Sequence, residues 1–62
     1  MNNKRVRATL TEHGIKQPLP DRTITDARWI AEHGDWWVLI DGTWYWWDRN
    51  ASAWKSSQHG PS

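Results

Sequence analysis

Three histidines each stand directly before a glycine, at His13, His33 and His59, and three aspartates, Asp35, Asp41 and Asp48, punctuate the second half of the chain. Imidazoles and carboxylates held close together could bind zinc or share a proton transfer. No histidine pair has the i, i+4 spacing that sets two ring nitrogens on one helix face. The aspartates fall where turns and strand ends are expected, and Asp is an ordinary residue there. No glycine-rich phosphate loop or nucleophile elbow is present, and 62 residues leave little room for an enclosed active site. The expectation is a protein without catalytic residues, metal or cofactor.

The other residues able to do chemistry are aromatic. Seven tryptophans lie between Trp29 and Trp54, while phenylalanine is absent and Leu, Ile and Val together number nine. An indole combines a large apolar surface with an N–H that needs a partner, which suits both core packing and recognition. The size allows a single domain. With no cysteine there is no disulfide framework and no thiolate metal site. The longest apolar run, Trp36 to Ile40, is too short to cross a membrane. The basic N-terminus is not followed by an apolar segment, so the expectation is a cytoplasmic or assembly-associated protein, neither secreted nor membrane-bound. Asn50-Ala51-Ser52 matches a glycosylation acceptor but reads here as a turn. The net charge of +1 divides into +3 over residues 1–28 and −2 over residues 29–62, a basic arm joined to a mildly acidic aromatic block.

These side chains need elements to position them, and the turn signals supply a frame. His33-Gly34, Asp41-Gly42 and Arg49-Asn50 begin eight residues apart. Asp-Gly favours a type I′ hairpin, because both central positions require positive φ. The spacing predicts an all-β fold, a small antiparallel meander of four strands at 27–32, 35–40, 43–48 and 51–56. A short helix over 26–33, capped by Thr23 or Thr25 and stopped by Gly34, competes with the first strand. Val6, Ala8 and Leu10 alternate with polar residues, which predicts an N-terminal strand at 4–11 that would close a five-stranded sheet or barrel. Residues 1–56 then form one domain, with 1–25 as a basic arm, strand and loop and 27–56 as the Trp-rich meander. Residues 57–62 are expected to be a flexible tail.

Two-residue turns would place Ile40 opposite Thr43, Val38 opposite Tyr45 and Trp36 opposite Trp47. They would also set Trp29 against Val38 and Tyr45 against Trp54. One face then carries Ala27, Trp29, Ala31, Trp36, Val38, Ile40, Tyr45, Trp47 and Trp54 without a charge. The other carries Trp37, Leu39, Trp44 and Trp46, ringed by Arg28, Glu32, Asp35, Asp48 and Lys55. A one-residue slip would mix the sets. The uncharged face is the expected core and the second an aromatic patch.

Residues 36–54 resemble a WW domain: a first Trp, a hairpin, an aromatic pair in the middle strand, a turn containing Asn, and a second Trp. The resemblance implies that Trp37 and Trp46 form a structural buckle and that Tyr45 and Trp54 grip proline in an extended ligand. Gly34-Asp35-Trp36-Trp37 is in turn similar to the Trp-containing strand of Src-homology-type barrels, which would make Trp36 the lining of a peptide groove.

The expected function is a non-catalytic protein-interaction or assembly module. Its candidate contacts with a protein or extended peptide are Tyr45, Trp54, Trp36, Trp47, Trp37, Trp44 and Trp46. A homo-oligomer, or an accessory subunit of a phage or other assembly, is one form of this reading. The alternative is a single-stranded nucleic-acid-binding protein, with Trp37, Trp44 and Trp46 stacking bases and Lys4, Arg5 and Arg7 meeting phosphates.

Overall fold

A computed structural model describes residues 2–30 and 35–61. The described residues form one helix, α1 (Asn3–Glu12), and four strands, β1 (Ile24–Ile30), β2 (Asp35–Ile40), β3 (Thr43–Asp48) and β4 (Ala53–Ser57). The strands make an antiparallel open sheet in the order β1-β2-β3-β4, the meander that the turn spacing predicts. Residues 26–30 belong to β1, so over that stretch the strand replaces the competing helix. The expected strand end at 31–32, inward-facing Ala31, rim residue Glu32 and the His33-Gly34 turn lie outside the described residues. No helix among the described residues is long and apolar enough to cross a membrane.

The N-terminal segment corrects the sequence expectation. Residues 4–11 are helical and do not form a fifth strand. Val6 and Leu10 fit a period of two, but their spacing of four also stacks them on one helix face. Both are buried, whereas Ala8, which a strand would also have turned inward, is exposed. The ends decide the matter. Asn2 caps the helix, its Oδ1 accepting the N–H groups of Lys4 at 2.9 Å and Arg5 at 3.3 Å. At the other end Gly14, with φ of 72°, donates to Thr11 O, and Ile15 donates to Leu10 O. That pair of bonds is a Schellman termination, and it brings Ile15 back against Leu10 in the core.

The central hairpin has the expected register. Asp41 and Gly42 take φ of 51° and 78°, as a type I′ turn requires, and Ile40 faces Thr43 while Val38 faces Tyr45. The outer pairings differ by two residues from those of two-residue turns. Trp29 faces Trp36 in place of Val38, and Trp54 faces Trp47 in place of Tyr45. At the β3–β4 end the cause is a longer loop. Asp48 pairs with Ala53, so β4 begins at 53 instead of 51. The Asp48 carboxylate closes that loop by accepting the N–H groups of Asn50 and Ala51 at 3.0 and 3.2 Å. A shift of two preserves the face on which every side chain lies.

The uncharged face is the core face. Val6 and Leu10 of α1 pack with Ile24, Val38 and Ile40, and Ile15, Ala27, Trp36, Tyr45 and Trp54 close around them. A bulge between Ile24 and Asp26 allows both Ile24 and Ala27 to face inward despite their odd spacing. Asn3 pins the helix to the sheet, its Oδ1 accepting the Ile24 N–H at 2.8 Å.

Candidate functional site: two aromatic faces

On the helix side, one indole from each strand falls into a row across the sheet. Trp29 and Trp36 meet at 5.3 Å between ring centroids, Trp47 and Trp54 at 5.5 Å. Continuing the β2–β3 register by one residue sets Trp36 beside Trp47. The row is graded in burial: Trp47 is 8% exposed and Trp29 51%. Trp54 finds its polar partner far away in sequence, donating its indole N–H to Lys16 O at 2.6 Å. His13, just past α1, meets Trp36 edge-on at 6.1 Å. Trp36 also walls a cleft of about 240 Å³ beneath the helix, lined by Asn2, Arg5, Val6, Thr9 and Ala27.

Tyr45 and Trp54, the groove implied by the WW resemblance, therefore pack against the core cluster. They do not pair across strands, since Tyr45 faces Ser56. Trp36 and Trp47 join them on this side.

On the other side lie Trp37, Trp44, Trp46 and Leu39. Trp37 and Trp46 face each other across β2 and β3 and stack at 6.3 Å with 29° between their planes. The ladder extends this pair outward to Arg28 on β1 and Lys55 on β4, giving a row of cation, indole, indole, cation. The Arg28 guanidinium lies over the Trp44 ring, 5.7 Å from its centroid, a cation–π contact. Each cation also has an acidic neighbour, Asp26 at 3.8 Å from Arg28 and Asp48 at 3.2 Å from Lys55. The Asp48 carboxyl is held below its ordinary pKa, chiefly by the Ala51 N–H, with Lys55 and the Asn50 N–H adding to the effect against partial desolvation. None of the described elements packs across this face, and the three indoles are half-buried against their own neighbours.

The basic arm is arranged differently from the nucleic-acid expectation. Arg7 turns inward and uses its guanidinium on the chain itself. It donates to Asn3 Oδ1 at 3.1 Å, Gln17 Oε1 at 3.1 Å, Pro18 O at 2.9 Å, Leu19 O at 3.1 Å and Arg22 O. It is the clasp of the loop between α1 and β1. Lys4 is exposed on the helix, and Arg5 borders the Trp36 cleft. The helix covers the face opposite Trp37, Trp44 and Trp46, so the sheet stands between those indoles and the cations meant to accompany them.

Sequence reasoning missed two contributors. His13 had its turn position as the only signal, and Gly60, in the segment expected to be a flexible tail, lies against the Trp44 indole. No group of three or more His, Cys, Asp or Glu among the described residues could hold a metal ion. No family model, curated protein or solved structure matches the chain.

Proposed function

We propose that this chain is a non-catalytic protein-interaction module, and that Trp37, Trp44, Trp46 and Leu39 are its contact surface for a peptide or protein. The supporting observation is the gathering of three indoles on the sheet face that the helix leaves uncovered. Contiguous apolar surface rimmed by charge is typical of interaction sites, and tryptophan and arginine dominate their energetics. Stacked Trp37 and Trp46 offer a rigid platform that loses little entropy on binding, and Arg28 and Lys55 can orient an acidic or carbonyl-rich partner. A working place in the cytoplasm or on a larger assembly, without secretion, suits a cysteine-free chain.

Selection of peptides from a display library against the folded chain tests this reading. Selected peptides should lose binding to Trp37→Ser and Trp46→Ser variants that still fold and unfold cooperatively, with a midpoint lowered by only several degrees. Equal binding to those variants would remove the open face from consideration. Titration with single-stranded DNA and RNA at two salt concentrations tests the nucleic-acid reading in parallel, and strong salt-sensitive binding would replace the peptide reading with it.

A further inference from the structure

The segment after β4 does not leave the sheet. Ser57 faces Trp44 in the ladder. Its hydroxyl donates to His59 O at 2.7 Å and accepts the His59 N–H at 3.2 Å, so the chain turns as it leaves the strand. Gly60 then comes down on the Trp44 indole. A Cβ at Gly60 would stand 2.9 Å from Trp44 Nε1 and 3.2 Å from Cδ1, too close for any side chain unless the ring moves. Gly60 does not have the positive φ of Gly14 and Gly42, so space and not backbone conformation requires glycine there. The ring has Arg28 over it, and Pro61 beyond is half-buried.

We propose that the Trp44 indole is a seat for an extended peptide segment presenting glycine followed by proline, and that the chain's own His59–Pro61 fills this seat as a built-in competitor of the partner. The proposal rests on the open face being the binding surface and names the chemistry of its ligand. The seat admits bare backbone at its closest point, and a following proline lowers the entropy lost when the segment is ordered. Stacked Trp37 and Trp46 lie one row away, so a longer partner that spans both rows has more to hold than the tail does.

The test uses the full chain, its Gly60→Val variant and its Ser57→Ala variant, each with 15N-labelled indoles. The probes are an acetylated Ser-Gln-His-Gly-Pro-Ser peptide and the same peptide with valine in place of glycine. Gly60→Val should free the seat, exposing the Trp44 N–H to faster exchange while the unfolding midpoint stays in place. The glycine peptide should then shift the Trp44 indole signal saturably in both variants. In the unaltered chain its apparent affinity should be roughly tenfold weaker, because the tethered tail competes at an effective concentration near millimolar. The valine peptide should leave Trp44 unshifted. Equal binding of the two peptides, equal affinity for the chain and its variants, or shifts centred on Trp29 and Trp36 would overturn the proposal. Failure of the glycine peptide while library-selected ligands still require Trp37 and Trp46 would end this proposal and leave the broader reading standing.

Discussion

The two faces of the sheet use the same side chain for opposite ends. On the helix side, Trp29, Trp36, Trp47 and Trp54 run across all four strands and pass from exposed to buried within one row. They extend a core whose fully buried members are aliphatic, Leu10, Ile24, Val38 and Ile40. On the other side Trp37 stacks on Trp46, and Trp44 lies beneath Arg28 and against Gly60 of the tail. What separates them is cover. The helix and the loop clasped by Arg7 bring Val6, Leu10 and Ile15 onto one face, and no described element does so for the other.

The largest effect should come from removing packing on the covered face. Trp47→Ala is expected to cost about 3–5 kcal/mol and Leu10→Ala about 2–5 kcal/mol, losses a domain of this size can hardly bear. Urea titration followed by circular dichroism should show little or no cooperative transition for either. A stable, cooperative Trp47→Ala variant would break the distinction between the faces, since that indole would then contribute nothing as core.

Arg7 comes next, because it ties down the loop that helps cover the core face. Arg7→Ala should lower stability by about 1.5–3 kcal/mol, the range for hydrogen bonds to a charged group. Arg7→Lys should recover little of it, since an ammonium cannot reproduce the fork of donors. Full recovery with lysine would show that charge and not geometry holds the loop.

On the open face, Trp46→Ala should cost less, about 0.5–1.5 kcal/mol for the stacked aromatic pair together with the transfer term of an indole that is only half-buried. The measurement that sharpens the comparison is to pair that unfolding midpoint with peptide binding, which should fall far more. A loss of stability equal to that of Trp47→Ala would make both faces core.

The smallest effect should be an acid dependence from Asp48. Its pKa is depressed in the folded chain, so the stability it contributes is present above the ordinary Asp value and is lost as pH falls through the lowered one. The decline therefore belongs below about pH 4. Asp48→Asn should remove that part of the acid limb while leaving the neutral-pH fold intact. An unchanged limb would mean that the bonds from Ala51 and Asn50 do not survive in solution.

Much of this arrangement is legible in the chain. The Asp41-Gly42 signal sets the central register, and its period-two alternation divides the indoles into two sets. The division withstands the two-residue shift of the outer hairpins because an even shift never changes a side chain's face. The four-residue closure at Asp48 and the bulge at Thr25 leave no comparable mark, since each depends on how the neighbouring strand is held. The helix was readable in principle from Asn2, Gly14 and the spacing of Val6 and Leu10. That spacing satisfies a period of two as well as of four, and Ala8 between them completes a strand-like alternation that competes with the helix. Of the open face, Trp37, Trp44, Trp46 and Leu39 follow from alternation, whereas the return of Gly60 to Trp44 depends on a turn made by the Ser57 hydroxyl.

Local pattern by itself thus determined the meander, the central turn and the partition of seven tryptophans between two faces. Each of these follows from the pleat and from φ preferences over a few residues. The tertiary structure decided which face is core, because that depends on contacts between segments distant in sequence. Trp54 bonds to Lys16, Asn3 to Ile24 and Arg7 to Arg22, and no short-range periodicity encodes such meetings. The same long-range docking left Trp37, Trp44 and Trp46 on the uncovered side.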